Sequence, residues 1–247
     1  MKQNNSIDRC LKNESNACVQ KICDCAVMVS KSTKLAKIQK DLFSDLLDRI
    51  HRNYLSLNKL SDIDSEYLII RLLQRTIIVD IITCLFFSSL VDDVTAFDDA
   101  LAVVNSKSMN SIDEWMEEHY KIDCAKANIS GKEYISKEDY FESYNHYKQG
   151  FSNLTLKECR INNKIFKGNP RNMYSCTKDE NIHKAIKYLY TEYRFLSQIE
   201  HYSIFNRGFS FIHPGDNSID IHKSVINYCL DYLFNVIKKI ACEVNNN

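Results

Sequence analysis

Glycine and proline are what this sequence lacks: five Gly and two Pro in 247 residues, where average usage gives about 17 and about 12. Sandwiches, barrels and doubly wound sheets need many turns, and turns draw on those two residues. The first glycine is Gly131 and the prolines are Pro170 and Pro214, so residues 1–130 contain neither. That pattern excludes a turn-rich β fold and implies an all-α, multi-helix bundle with short polar connections. A charge excess is also lacking. Lys+Arg and Asp+Glu both total 32, for a formal net charge of zero. Proteins that grip nucleic acid along its phosphates usually carry a basic excess, so any such grip here has to come from a local patch. The charges are unevenly placed: eight acids against Lys107 between Asp92 and Glu118, and six bases against Glu158 between Lys157 and Lys178. One reading is a pair of solvated faces of opposite sign. The functional reading makes Lys157, Arg160, Lys164, Lys167 and Arg171 a nucleic-acid-binding run.

No apolar run is long enough to span a bilayer. The most apolar stretch, 77–90, is interrupted by Asp80 and flanked by Arg71, Arg75, Asp92 and Asp93, which fits a buried central helix better than a membrane span. The first 20 residues hold no apolar core of a signal peptide, so the expectation is a cytoplasmic chain, with no membrane association and its thiols reduced. Among the ten cysteines, the tightest group is Cys18, Cys23 and Cys25 with Cys10 upstream. One C-x-C without a nearby histidine falls short of the two ligand pairs of a structural zinc site. Asp92-Asp93 and Asp98-Asp99 have the look of an aspartate-rich metal motif, but the rest of an isoprenoid-synthase pattern is missing. No metal and no other cofactor is expected.

Periodicity supplies the elements. A helix of modest amphipathicity is expected over about 7–29. A second carries Leu35, Ile38, Leu42, Phe43, Leu46, Leu47, Ile50, Tyr54 and Leu57 at spacings of three and four. Ser61-Asp-Ile-Asp offers caps for a third, running to about Leu90, whose second half is apolar on nearly every face and must be surrounded. Shorter helices are expected over 92–104, 111–127 and 136–149, the last two opened by Ser111 and Ser136; Asp139 completes a capping-box-like arrangement with Ser136. Residues 150–177 read as a long basic loop with one short element, 179–202 as a strong helix, 203–217 as a loop and 218–243 as a closing helix. The domain expectation is one helical domain over 1–247, with the acidic helices of 92–149 as an insertion-like layer.

The 179–202 helix carries the one constellation suited to chemistry. Ile182, Ile186, Leu189, Tyr193 and Leu196 make a core stripe spaced 4-3-4-3. One residue on, about 100° around the helix, a second stripe holds Tyr190, Arg194, Ser197 and His201. Arg194 and His201 lie seven residues apart, almost two turns, with Ser197 between them. A cation, a hydroxyl and an imidazole therefore line one edge beside the buried stripe.

Arg194 and His201, separated by six residues on a late helix, resemble the R-x4-6-H motif of the HEPN superfamily. More narrowly, Tyr193-Arg-Phe-Leu-Ser197 with His201 resembles the Tyr-x-x-Leu-Ser-x-x-x-His signature of a bacterial family related to HEPN proteins, in which an earlier helix reads roughly Arg-x-Leu-x-Glu. Here that earlier helix reads Arg71-Leu-Leu-Gln-Arg75. Arg75 stands in place of the acid, Phe195 in place of a polar residue, and Tyr202 in place of a proline. The resemblance covers about 140 residues, 62–202, with about ten matched positions. It implies an all-α homodimer and a metal-independent RNA endonuclease acting in bacterial toxin or phage-defence systems.

The chemistry such residues support is proton transfer at the 2′-OH and the leaving 5′-oxygen by an imidazole, with a guanidinium fork stabilising the phosphorane. His201 takes the first role and Arg194 the second. Ser197 and Tyr190 orient them, and Asp80 and Arg71 stand as supporting residues. The structural alternative gives Arg194 a salt bridge with Asp80 or with an acid of 92–118, and gives His201 a place at the helix C-terminus. Asp80, within an apolar run, needs a partner of its own: a buried Arg, Lys or Tyr if structural, His201 or Arg194 if functional. RNA is the expected partner of the nuclease reading. A non-catalytic helical module binding a protein partner in a defence or regulatory complex is the alternative. A nucleotide-binding helical domain is a third reading, without a Gly-rich phosphate loop to support it.

Overall fold

The computed structural model describes residues 4–60, 67–143, 156–200 and 218–242, in eight helices and one two-stranded hairpin. The fold is all-α. The chain forms two compact units, one from 1–93 together with 173–247, the other from 94–172. From Val94 on, the acidic layer expected over 92–149 falls within the second unit, which ends at Asn172.

The first unit is organised by α3 (Tyr67–Ser88), which packs against α2 (Lys37–Leu60), α7 (Glu180–Glu200) and α8 (Ser218–Ala241). Ile77, Ile78, Ile81, Ile82, Leu85 and Phe86 are all fully buried. A helix apolar on every face is stable in water only when neighbours cover every face, and here three of them do. α1 (Asn4–Lys31) completes the unit by packing on α2 and α8. On α2, Phe43, Leu46, Leu47, Ile50, Tyr54 and Leu57 are buried as their spacing predicts, while Ile38 stays exposed. The Tyr54 hydroxyl donates to Asn227 Oδ1 of α8 at 2.5 Å, and burial pushes its pKa up. The capping segment 61–64 lies outside the described residues.

The second unit corrects several sequence expectations. The two helices expected over 92–104 and 111–127 are one helix, α4 (Val94–Ile129). Ser111, read as an N-cap, donates its hydroxyl to Lys107 O, and Ser108 donates to Val104 O. Both are satisfied inside the helix, so neither interrupts it. α4 ends where the first glycine allows: Gly131 has φ +66°, Lys132 N–H bonds Ala127 O at 2.9 Å and Gly131 N–H bonds Asn128 O at 3.1 Å, a Schellman cap. α5 (Lys137–Ser143) opens with Ser136, whose Oγ accepts from Asp139 N–H at 3.1 Å and donates to Asp139 Oδ2 at 2.8 Å. The rest of the helix expected to 149 lies outside the described residues.

The basic stretch is not a loop with one element. Strands β1 (Cys159–Ile161) and β2 (Lys164–Phe166) pair antiparallel around Asn162 and Asn163, both in the left-handed region at φ 52° and 61°. Two such residues make the turn that matches strand twist, and asparagine tolerates it. Ile161 and Phe166 share the buried face, while Arg160 and Ile165 share the exposed one. α6 (Pro170–Cys176) follows, with Pro170 at its first position and Asn169 Oδ1 accepting from Asn172 N–H at 3.0 Å.

Within α3, Asp80 is 2% exposed and its Oδ1 meets Arg49 Nη2 of α2 at 3.1 Å. Burial pushes its pKa up to about 6, with Arg49 pulling the other way. The folded state therefore favours the protonated acid. Its contribution to stability is full below the ordinary value of 3.8 and is lost as pH rises through about 6, a drop of about 2–3 kcal/mol. Urea unfolding of Asp80→Asn should show that part of the pH dependence flattened. Arg49→Ala should steepen it, costing about 1–3 kcal/mol above pH 7 and little at pH 5.

Candidate functional site

α7 places the candidate residues. Asp179 caps it, accepting the N–H groups of Asn181 and Ile182 at 3.0 and 2.9 Å. Ile182, Ile186, Leu189 and Leu196 are buried, while Tyr193 is half-buried. The next stripe around the helix holds Tyr190, half-buried, Arg194, exposed, and Ser197, half-buried. His201 lies outside the described residues.

Ser197 is where α7 meets α3. Its hydroxyl donates to Tyr193 O at 2.8 Å and accepts from Arg75 Nε at 3.2 Å. The Arg75 guanidinium also sits over the Tyr193 ring, 5.3 Å from its centroid, a cation–π contact. Arg75 thus supplies the contact to Ser197. Sequence reasoning treated it only as a mismatch. Its signal lay in the four-residue step from Arg71, which sets both arginines on one side of α3.

Arg71 is 1% exposed and its Nη1 approaches Gln74 Oε1 at 3.5 Å. Asp80 is elsewhere. Five residues beyond Arg75, it is about 140° further around the helix and faces Arg49 of α2. The structure brings Asp80 together with Arg49 rather than with Arg194 or Ser197, so the salt bridge considered between Arg194 and Asp80 is not formed.

Tyr190 belongs to an array that sequence reasoning missed. Its ring stacks on Tyr174 of α6, with centroids 5.7 Å apart and planes at 10°, and on Tyr193 at 6.0 Å and 23°. Tyr174 in turn lies 4.6 Å from the His183 ring. A row therefore runs from His183 through Tyr174, Tyr190 and Tyr193 to the Arg75 guanidinium. Positions 183, 190 and 193 fall on one side of α7 by spacing, but Tyr174 comes from a stretch expected to be loop. That side presents π faces, two guanidinium groups and a hydroxyl, a combination suited to phosphate and base contacts.

A groove of about 1420 Å³ lies between α7 and α8, with Ser88 at the end of α3 and the following Ser89 at one end. Tyr188 and Tyr228 stand exposed along it, with Ile182, Val225 and Val236 as apolar wall. None of Tyr190, Arg194, Ser197, Arg71 or Asp80 lines it. Among the described residues no three of His, Cys, Asp and Glu gather as a metal site, and no helix is long and apolar enough to cross a membrane. Cys18 and Cys25 are buried in α1, and burial pushes the Cys25 thiol up to about 12.

The hairpin cations belong to the other unit. Lys157, Arg160, Lys164, Lys167 and Arg171 are all exposed, and Lys167 Nζ lies 3.4 Å from Glu158 Oε2. No family model matches the chain, and no curated protein or solved structure matches it either.

The ring stack should have a measurable worth. Tyr190→Leu keeps bulk but removes the stacking, and should lower unfolding free energy by about 0.5–1.5 kcal/mol beyond lost area. Tyr188→Leu, at an exposed site on the same helix, should stay within about 0.5 kcal/mol in the same urea titration.

Proposed function

We propose that this protein is a metal-independent RNA endonuclease of HEPN type, with His201 and Arg194 carrying the reaction and Ser197 and Tyr190 orienting them. The observation that carries the reading is the Arg75–Ser197 hydrogen bond at 3.2 Å beside the exposed Arg194. It fixes a hydroxyl and a second guanidinium next to the motif arginine. Two guanidinium groups suit a phosphodiester, which passes through a doubly charged phosphorane. His201, from its place in the sequence, takes the 2′-OH proton and returns one to the leaving 5′-oxygen. One imidazole would have to accept and donate in turn, and a second copy of the chain would divide the two roles, which is why the homodimer implied by the resemblance belongs to the reading. Tyr190 and Tyr193 offer stacking surface to bases, and the hairpin cations offer phosphate contacts that salt would weaken. Asp80, paired with Arg49, supports the fold of α3 and enters no step.

A second reading is favoured by the groove between α7 and α8, which none of the described candidate residues lines. On that reading the chain is an interaction module, and a protein partner lies along Tyr188 and Tyr228 in a bacterial defence or regulatory complex.

Incubating purified protein with mixed cellular RNA in EDTA separates the two. The nuclease reading expects cleavage to 2′,3′-cyclic phosphate and 5′-OH ends, reduced at least about 100-fold in His201→Ala and in Arg194→Ala. No cleavage by the wild type, or equal cleavage by all three proteins, transfers the assignment to the interaction module.

A further inference from the structure

Lys107 is the single base among eight acids from Asp92 to Glu118. A lysine on such a helix ordinarily pairs with a carboxylate three or four residues away. Lys107 has none: those positions are Val103, Val104, Asn110 and Ser111. It lines instead a recess of about 160 Å³ in the second unit, together with Lys157 and Lys167 that flank the hairpin. Ser106 and Asn110 of α4 complete its polar lining, with Val103 and Leu156 as the apolar part.

The recess is held by hydrogen bonds from the hairpin's flanking backbone to side chains, which fix the positions from which the three lysines line it. Ser106, 5% exposed, accepts the Leu156 N–H at 2.9 Å and fixes the approach to β1 against α4. Ile161 and Phe166 bury the inner face of the hairpin. After β2, Gly168 has φ +66°, a conformation that favours glycine, and a Cβ there would lie in van der Waals contact with Val103 Cγ1 at 3.4 Å, so the chain passes close over α4. Lys167 N–H donates to Asn172 Oδ1 at 3.0 Å, which holds its backbone in place.

The local charge follows. Three lysines line one small volume, and one of them is paired, with Glu158 Oε2 3.4 Å from Lys167 Nζ. In a chain whose net charge is zero, this spot carries a surplus of two positive charges. Convergent like charges repel unless an anion sits between them. Lysine serves phosphate as a point charge, and the Ser106 hydroxyl and Asn110 amide add hydrogen-bonding groups suited to its oxygens. The volume is below the roughly 300–1,000 Å³ of ordinary small-molecule sites. It is of a size for a tetrahedral oxyanion.

We infer that the recess between α4 and the hairpin is a binding site for one dianionic phosphate group, held by Lys107, Lys157 and Lys167. Free phosphate and the terminal phosphate of a nucleic acid share this chemistry. The site shares Lys157 and Lys167 with the phosphate contacts of the nuclease reading, but Arg194 and Ser197 belong to the other unit, so the two can fail separately.

The test is a titration of the folded full-length chain with inorganic phosphate at constant ionic strength, with chloride as control, followed by amide resonances. Saturable shifts are expected at Ser106, Lys107, Asn110, Leu156, Lys157 and Lys167, with binding about tenfold weaker in Lys107→Gln. Lys157→Gln, a change outside any helix, gives the same reading should Lys107→Gln perturb α4. A 5′-phosphorylated RNA oligomer that outcompetes phosphate, where its 5′-hydroxyl twin does not, assigns the source to a nucleic-acid end. Failure of both oligomers to compete assigns it to the free anion. Arg194→Ala should leave the titration unchanged, so loss of cleavage and loss of this site are read separately. Absence of saturable shifts into the millimolar range, or undiminished affinity in folded Lys107→Gln and Lys157→Gln, overturns the inference.

Discussion

The requirement that the second half of α3 be covered on every face governs the first unit. A run such as Ile77–Phe87 cannot present any side to water without exposing several large apolar side chains, each worth about 1.5–3 kcal/mol when buried. α2, α7 and α8 supply the cover, and in doing so they fix which residues of α7 are left for other work. The stripe that meets α3 takes Ile182, Ile186, Leu189 and Leu196 into the core. The stripe beside it keeps Arg194 exposed and Tyr190 and Ser197 half-buried. The candidate site is thus the edge of a packing interface, where polar groups are held by a rigid neighbour and still reach solvent. Arg75 makes that edge specific, since one guanidinium both bonds Ser197 and lies over Tyr193.

Polar groups buried in α3 divide the same way. Asp80 turns toward α2 and is met by Arg49; Thr83 and Ser88 return their hydroxyls to the carbonyls of Val79 and Cys84. Each meets a group within reach of its own face of the helix. A carboxylate five residues from Arg75 cannot serve the α7 side without turning the helix by more than a third of a revolution. In the second unit the same economy places Lys107: without a carboxylate on its own helix face, it joins the hairpin lysines at a recess that backbone-to-side-chain hydrogen bonds hold.

Much of this was legible in the sequence because it follows from periodicity. The helical class, the surrounded α3, the core stripe of α7 and the Ser136–Asp139 capping box all rest on spacing and composition, which local physics determines. Two kinds of feature were not legible. Ser111 has the right residue type for a cap, but a serine in mid-helix satisfies itself on the carbonyl four residues back, and only the continuity of α4 tells the two apart. The hairpin was hidden because Asn162-Asn163 is a weaker turn signal than Asn-Gly and its strands have three residues each. The stacking of Tyr174 on α7 and the Arg75–Ser197 bond join residues of different elements, and periodicity carries no information about such pairs. His201, central to the chemistry proposed, lies outside the described residues, so its role rests on its place seven residues after Arg194.

Arg75 of α3 holds Ser197 of α7 and so sets the edge on which Arg194 stands. A double-mutant cycle over Arg75→Gln and Ser197→Ala, read by urea unfolding, tests it most directly. The account predicts that the two losses do not add, with a coupling of about 0.5–1.5 kcal/mol in favour of the native pair. Strictly additive losses would mean that the two side chains do not meet in solution, and the candidate site would lose the contact that assembles it.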